Sequence, residues 1–238
     1  MLTSAAQPTK EWYQKYYREK GGDRNDLLRN PEVLFQHFAF YESLIRAIRE
    51  VNDIDLVTAR VLDVGCGSGA SLANFLQLGF LPENLYGIDI LEERVTTCRE
   101  RYPNFVLSCD DATSMSFPSE SFDIVTESTM FVQITDEDLA ADIAGEMIRT
   151  CKRGGHIVLI DWRYGKPGNT AYRALSASRI QTLFKVGTDT RLVCTRKGAL
   201  VPPLGRFLSR RLPALYFPVR ALVPLLAGSM TTVLKRFA

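Results

Sequence analysis

An aspartate followed by three glycines at alternate positions marks the stretch LDVGCGSG, in which Asp63 precedes Gly65, Gly67 and Gly69. Residues without side chains let a ligand approach the backbone closely, and the helix after such a turn offers unpaired N–H groups. Asp89 ends the next apolar run. An acid about 20 residues beyond the turn can accept hydrogen bonds from both hydroxyls of a ribose. These residues predict a site for a nucleoside-containing ligand.

The position of Asp63 indicates which ligand this is. A carboxylate directly before the turn repels a pyrophosphate, whereas it attracts an ammonium group. The spacing GxGxG is also tighter than the GxGxxG of dinucleotide-binding folds. The turn therefore favours S-adenosylmethionine over NAD.

Alternating strands and helices must position this turn. Short apolar runs rich in β-formers predict strands, and segments of helical periodicity separate them. This alternation is typical of parallel βαβ units in an α/β, doubly wound sheet. The predicted strands are 59–63, 84–89, 104–107, 122–126, 156–161, 191–195 and 231–235. The predicted helices are 9–20, 31–51, 71–78, 92–101, 136–151 and 171–184.

Four segments, in this order, resemble the class I S-adenosylmethionine-dependent methyltransferases: LDVGCGSG, GIDI, CDDATSMSFPSESFDIV and MIRTCKRGGHIVLID. Together they span residues 60–161, and four ordered matches are far more specific than the glycine turn alone. The resemblance implies a Rossmann-like sheet of seven strands in the order 3-2-1-4-5-7-6, with the last strand antiparallel.

The resemblance also implies roles in cofactor binding. Asp63 would lie near the methionine amino group and Asp89 on the ribose. Asp111 and the backbone of Ala112 would meet the adenine edge, with Ile90 against the ring. Turn chemistry and capping are the alternative explanation for these residue types. The full predicted cofactor set is Asp63, Gly65, Gly67, Gly69, Asp89, Ile90, Asp111, Ala112, Ser128 and Tyr17, with Met115 also flanking the adenine.

Three tyrosines in EWYQKYYREK lie on the predicted helix 9–20. In one interpretation Tyr13, Tyr16 and Tyr17 close over the cofactor and contact its carboxylate or its cationic sulfur. In the other they only pack an amphipathic helix. The sequence does not decide between these two roles.

The acceptor of the methyl group has a weaker signature. The DPPY or NPPY stretch that the family uses for planar amines is absent, because the fourth strand continues into ESTMFVQIT. No cluster of Asp, Asn and His predicts a divalent metal. These observations favour transfer to a hydroxyl without metal, in which orientation supplies most of the acceleration and proton removal supplies less.

Candidate catalytic residues are few. Asp161 and Arg163 follow the fifth strand, at the edge where open α/β sheets bind substrates. Asp161 is the first candidate base, with loop capping or pairing to Arg163 as the alternative. His37 is the second candidate, because the ordinary pKa of histidine suits a general base. The alternative is a hydrogen-bonded histidine at the edge of the hydrophobic core. His156 starts the fifth strand at the opposite edge, and we assign it no function.

Charge is distributed unevenly along the chain. Residues 162–238 hold 14 Lys/Arg and one acid, Asp189, although the whole chain carries a net charge of only +2. Four arginines lie in the apolar, proline-containing insert at 198–228: Arg206, Arg210, Arg211 and Arg220. This insert is too interrupted to span a bilayer. It predicts peripheral contact with an anionic membrane through 206–226, or else a lid over the acceptor or a homodimer contact.

Length and composition favour a single methyltransferase domain over residues 1–238. We divide it into a helical cap (1–55), a cofactor-binding core (56–197), the insert (198–228) and a final strand (229–238). Five scattered cysteines and the absence of an apolar leader predict a reduced, cytoplasmic protein, or one at the inner face of the membrane. An appended RNA-binding module is absent and the arginines alternate with apolar residues, which disfavours nucleic acid.

The flanking segments resemble bacterial methyltransferases of cell-surface polysaccharides. That resemblance implies O-methylation of a sugar hydroxyl, on a glycan acceptor that is anionic or lipid-linked. A small-molecule O- or C-methyltransferase of secondary metabolism is the alternative. An RNA methyltransferase and a non-catalytic cofactor-binding protein are the remaining hypotheses.

Overall fold

A central seven-stranded sheet positions the candidate residues. The computed structural model describes residues 11, 14–15, 27–165 and 168–238 of the chain. The sheet has the order β3-β2-β1-β4-β5-β7-β6. β7 runs antiparallel to both of its neighbours, and the pairings among the first five strands are parallel. The strands are β1 Val61–Val64, β2 Leu85–Asp89, β3 Val106–Cys109, β4 Phe122–Ser128, β5 Cys151–Trp162, β6 Thr190–Lys197 and β7 Ser229–Arg236. The predicted strand order and the antiparallel last strand are confirmed.

Helices cover both faces of the sheet, as the buried, mainly apolar strands at its centre require. One face packs on α4 and α5, and the opposite face packs on α1, α2 and α3. The helices of the described residues are α1 Leu34–Ile48, α2 Ala70–Gln77, α3 Glu92–Arg101, α4 Glu137–Thr150, α5 Ala177–Leu183, α6 Pro202–Arg211 and α7 Tyr216–Leu222. Of the predicted helix 9–20, only residues 11, 14 and 15 are described, and they are helical.

Two predicted elements differ from those observed. The helix expected at 171–184 covers only Ala177–Leu183, because Ser176 caps it by accepting a hydrogen bond from the Arg179 amide. The residues before Ala177 are not helical, because their amides bond elsewhere in the chain. The Leu175 amide, for example, donates to the carbonyl of Trp162, the last residue of β5. The fifth strand starts five residues earlier than predicted, at Cys151, where it pairs with the first residue of β4.

The insert folds as α6, α7 and short 3₁₀ turns, and it lies at the carboxyl edge of β5. Trp162, at the end of β5, pairs with the first residue of β7, Ser229, directly after the insert. The amino end of α1 packs here, since the Phe35 amide donates to Ser209 Oγ at 3.2 Å. The buried Tyr216 hydroxyl accepts from the Leu200 amide at 3.1 Å. No helix among the described residues is both long enough and apolar enough to cross a membrane.

Candidate active site

The glycine turn joins β1 to α2 with all three glycines in the left-handed region, at φ 75, 54 and 86°. Other residues could not take this path without strain. Close neighbours leave no room for side chains either: a Cβ on Gly67 would lie 2.5 Å from Arg94 Nη2, and one on Gly65 would lie 3.0 Å from Met130 Sδ. Arg94 and Met130 were not predicted to lie next to the turn, because both are distant from it along the chain.

Asp89 meets the turn directly. Its Oδ2 accepts a hydrogen bond from the Gly67 amide and its Oδ1 accepts one from the Leu91 amide, both at 2.9 Å. Burial raises the pKa of Asp89, and the Leu91 hydrogen bond and the Arg94 charge oppose that shift. The carboxylate predicted to hold the ribose is therefore fixed against the turn, with its remaining lone pairs as acceptors.

Asp63 is buried below the turn, and neither of its carboxylate oxygens has a hydrogen-bond partner among the described residues. Burial raises its pKa well above the ordinary value, and the nearby Cys98 and Asp89 raise it further. An isolated buried carboxylate is costly unless a cation or donor compensates it. The environment of Asp63 fits the ammonium group of S-adenosylmethionine, which would supply both charge and N–H donors.

The predicted adenine end lies beside β2. The Asp110 amide donates to the Asp89 carbonyl at 3.2 Å, which brings the loop after β3 next to the end of β2. The buried Asp111 shapes this loop, because its Oδ1 accepts from the Thr113 amide at 2.9 Å and from its hydroxyl at 2.8 Å. Ile90 and Ala112 are half-buried. The predicted adenine contacts thus lie on two adjoining loops, and Met115 is buried in the core.

A pair of buried carboxyl groups lies at the carboxyl ends of β4 and β5. Glu127 accepts hydrogen bonds from the Ile160 amide at 3.1 Å and from the Met130 amide at 2.9 Å. Asp161 accepts from the Val132 amide at 2.8 Å and from its own following amide, Trp162, at 2.6 Å. The pair therefore holds the loop between β4 and α4 against β5.

The protonation of this pair is strongly perturbed. Burial raises the pKa of Asp161 to about 7. Burial raises the pKa of Glu127 well above its ordinary value, and the charge of Asp161 raises it further. Glu127 was not among the predicted site residues, although its position at the carboxyl end of the fourth strand, in ESTM, is the signal that could have identified it. A group with a pKa near neutrality can hold or release a proton under physiological conditions.

Arg163 does not pair with Asp161. Its Nε donates to the Ala227 carbonyl at 2.7 Å, and its Nη2 donates to the carbonyls of Pro224 at 2.9 Å and Leu225 at 3.3 Å. Of the two alternatives to a base role for Asp161, loop capping describes the observed contacts and pairing with Arg163 is wrong. Arg163 instead ties the end of β5 to the insert.

The remaining candidates are placed as follows. His37 lies on the first turn of α1 and is half-buried; burial lowers its pKa, so the ring is neutral near pH 7. Ser128 ends β4 opposite Ile160. Tyr17 lies outside the described residues, as do Tyr13 and Tyr16. His156 lies at the amino edge of the sheet, away from the glycine turn. Among the described residues, no group of three or more His, Cys, Asp or Glu side chains could hold a metal ion.

The arginines of the insert divide into two kinds. Arg210 and Arg211 are exposed and Arg206 is half-buried. Arg220 is buried, where it forms an ion pair with Glu42 at 2.8 Å and donates to the Gly198 carbonyl at 3.2 Å. The prediction that Arg220 belongs to the outer basic face is wrong, because its side chain turns inward and anchors the insert on α1.

Part of the chain is similar to known methyltransferases. Residues 61–155 match a family model described as a methyltransferase domain. The chain is 38% identical over 106 residues to 2-methyl-6-phytyl-1,4-hydroquinone methyltransferase of Synechocystis sp., a match covering 43% of this chain and 31% of that protein. It is 30% identical over 108 residues to phosphatidylethanolamine N-methyltransferase of Cereibacter sphaeroides, covering 43% of this chain and 50% of that protein. These matches span half or less of each relative's length.

Solved structures share the whole fold. The PH0226 protein of Pyrococcus horikoshii superposes with a TM-score of 0.64 at 16% identity, covering 93% of this chain and 98% of that chain. A SAM-dependent methyltransferase of Methanosarcina mazei superposes with a TM-score of 0.56 at 15% identity, covering 79% and 96%. At this identity the likeness concerns the fold.

Proposed function

Because the chain carries a class I S-adenosylmethionine-dependent methyltransferase domain, we propose that it methylates a hydroxyl group of a lipid-linked acceptor at the carboxyl edge of the sheet. The observation that carries this proposal is the position of the insert. Arg163, two residues after Asp161, binds the insert, so the acceptor side of the site is continuous with an apolar, cationic surface. An acceptor with a lipid portion and a polar group to be methylated matches such a surface.

S-adenosylmethionine is the methyl donor, and when bound it supplies an electrophilic methyl group on a cationic sulfur. We assign Asp63 to its ammonium group, Asp89 to the ribose, and Asp111 with Ala112 to the adenine edge. These residues bind and orient the donor, and orientation in line with the acceptor oxygen is expected to provide most of the acceleration.

We propose that Asp161 or His37 accepts the hydroxyl proton. Asp161 has the better matched pKa, about 7, but both of its oxygens already accept backbone N–H groups. His37 is neutral and less buried, which leaves it available as an acceptor. No residue of the described chain suggests that a metal takes this role, so we expect chelators to leave turnover unchanged.

The lipid portion of the acceptor has support from the relatives. The substrates for which these relatives are named include phosphatidylethanolamine and a phytyl-hydroquinone, each with a long apolar part. The finer assignment, a sugar hydroxyl in a polysaccharide or glycolipid precursor, is supported only by the resemblance of the flanks. A prenylated hydroquinone is the second candidate, favoured by the 38% identity to the Synechocystis protein.

Transfer of a labelled methyl group tests the proposal. The full chain is incubated with methyl-labelled S-adenosylmethionine and separate fractions of lipid-linked glycans, prenylated quinols, phospholipids and water-soluble sugars. We expect label in lipid-linked glycans, released as an O-methyl sugar on acid hydrolysis. Label in the quinol fraction would select the second candidate. Label confined to water-soluble acceptors would overturn the lipid assignment, and Asp89→Ala serves as the cofactor-deficient control.

A further inference from the structure

The outer side of the insert carries an unusual run of exposed apolar residues. Two stretches of consecutive exposed residues lie around the short helix α7: 211–215 precedes it, and 221–225 covers its last two residues and the three that follow. Leu222 is 82% exposed and Leu225 is 75% exposed. We call the apolar patch the six large exposed side chains Phe207, Leu212, Leu215, Leu222, Val223 and Leu225. Single exposed leucines are common, but a group this dense marks an interaction surface.

The patch belongs to a well-ordered structure and not to an unfolded segment. The inner side of the same helices is packed, with Leu208 and Tyr216 buried against α1. The ion pair of Arg220 with Glu42 and the carbonyl contacts of Arg163 fix the insert at both ends. The apolar side chains are therefore held outward by the fold.

Positive charge borders the patch. Arg210 and Arg211 end α6 directly before Leu212, and Arg206 lies one turn earlier. No acidic residue occurs between 190 and 238. Within the described residues, none of these three arginines forms an ion pair. The surface thus combines apolar contact area with uncompensated cations.

We propose that the apolar patch docks into the interface of an anionic lipid bilayer, with Arg206, Arg210 and Arg211 at the lipid phosphates. Helices of ten and seven residues are about 15 and 10 Å long, too short for a bilayer core of about 30 Å. They suit a position parallel to the membrane surface, where leucines enter the acyl boundary and arginines meet phosphates.

A second copy of the chain fits the same surface poorly. A two-fold interface through the patch would bring the same residues of two protomers together. It would place Arg210 and Arg211 against their equivalents with no acidic residue of the insert to compensate them. Charge complementarity therefore favours anionic lipid over a homodimer.

Docking here would also orient the site. Arg163 donates to the carbonyls of Pro224 and Leu225, which are residues of the exposed stretch, and it follows Asp161 in sequence by two positions. A lipid-linked acceptor would then reach the methyl group without leaving the bilayer. This consequence rests on the proposed function, whereas the docking itself does not.

Vesicle flotation with the full chain tests the docking. The vesicles are phosphatidylcholine alone, or phosphatidylcholine mixed with phosphatidylglycerol, and we expect binding to the second kind. Changing Arg210 and Arg211 together to Gln should weaken binding about 30-fold at low salt. Changing Leu222→Asp and Leu225→Asp together should weaken it at least about tenfold. Only the backbone carbonyl of Leu225 is used by Arg163, so folding should persist.

The matched control is Leu192→Asp, which alters a 53% exposed leucine on the edge strand β6, outside the patch. It should bind vesicles like the parent. Absence of binding by the parent, or patch variants that bind as tightly as the parent, would overturn the proposal. So would full competition by inorganic phosphate, which would indicate a soluble anion, or a dimer in sedimentation velocity that the two leucine changes abolish.

The same variants separate this proposal from the proposed function. Cofactor affinity and methylation of a detergent-dispersed acceptor are measured in parallel with flotation. If methylation persists while the parent fails to float, only membrane docking is wrong. If the parent floats and labels no lipid-linked acceptor, docking holds and the acceptor assignment is wrong.

Discussion

At the carboxyl edge of the sheet, the buried acids Asp63, Glu127 and Asp161 form no ion pair with other described residues, whereas acids at the amino edge contact lysines. Among the described residues, Asp63 has no hydrogen-bond partner, and Glu127 and Asp161 accept hydrogen bonds from backbone amides alone. Burial raises the pKa of all three groups. This edge is therefore suited to binding a ligand that carries positive charge.

The amino edge shows the ordinary arrangement. Asp123 accepts two hydrogen bonds from Lys152 Nζ, at 2.8 and 2.9 Å. Asp53 contacts Lys235, and this contact holds the pKa of Asp53 below its ordinary value. Here charge is compensated within the chain, as in a surface that serves stability alone.

The difference supports the proposed site independently of any motif. Buried carboxylates without counter-charge destabilise a fold, so they persist where a ligand or a reaction uses them. In this protein they surround the glycine turn and the end of β5, where a cationic donor and an acceptor would meet. At the amino edge, the described acids Asp53 and Asp123 each have a lysine partner.

The sharpest test of the comparison removes the acids that face the donor. Asp63→Asn and Asp89→Ala should each weaken S-adenosylmethionine binding by about 30-fold to 1,000-fold, the usual cost of truncating one partner of a buried charged contact. Isothermal calorimetry measures the change. Asp123→Asn, at the amino edge, is the control and should bind like the parent. Unchanged affinity in Asp63→Asn would show that the buried carboxylate serves no ligand.

Local patterns explain why this part of the site could be predicted. The glycine turn, Asp63 and Asp89 lie within one βαβ unit, where spacing along the chain determines spacing in the fold. The strand order came from the resemblance, because periodicity alone does not order strands. The predicted helix 171–184 was too long because the residues before Ala177 bond elsewhere in the chain, as the Leu175 amide does to the Trp162 carbonyl of β5.

Long-range contacts explain what could not be predicted. Arg163 finds its carbonyl partners more than 60 residues away, and Arg220 pairs with Glu42, which precedes the sheet. Glu127 accepts from one amide in the loop after β4 and from one amide of β5. Neither spacing nor residue type reveals such partners, which is why pairing with Arg163, one of the two alternatives to a base role for Asp161, was wrong.

The second test concerns the proton acceptor at the carboxyl edge. Asp161→Asn and His37→Ala should both bind S-adenosylmethionine like the parent, and one of them should lose about 100-fold in kcat, the usual scale for a general base. Stopped turnover assays with the labelled donor measure this loss. Full activity in both variants would leave orientation as the whole source of acceleration.

The third test uses the linkage between protonation and stability. The folded-state pKa of Asp161, about 7, lies above its unfolded value of about 4. The folded protein therefore binds a proton at Asp161 that the unfolded chain releases, so the contribution of Asp161 to the free energy of unfolding is greatest below pH 4. It should fall by about 1.4 kcal/mol per pH unit as pH rises from 4 to 7.

Urea unfolding across this range measures the slope. Asp161→Asn should flatten this slope. The slope is compared, and not the free energy of unfolding itself, because Asn can accept only one of the two backbone N–H groups that Asp161 binds. Glu127→Gln should act in the same direction, since the two carboxyl groups titrate as a pair. A slope that persists in both variants would mean that other groups dominate the pH dependence.

The smallest expected effect lies at the amino edge, with Lys152→Met. The Lys152 side chain is 41% exposed and that of Asp123 is 27% exposed, so water screens their attraction. Removing the lysine should cost about 0.5 kcal/mol of unfolding free energy, and less at high salt. Asp123 also accepts a hydrogen bond from the Arg60 amide at 2.9 Å, which keeps its carboxylate satisfied without the lysine. Urea unfolding at low and high salt measures the loss, and calorimetry should find S-adenosylmethionine affinity unchanged. A weakened affinity in Lys152→Met would show that charge at the amino edge reaches the glycine turn, and the separation of the two edges would no longer hold.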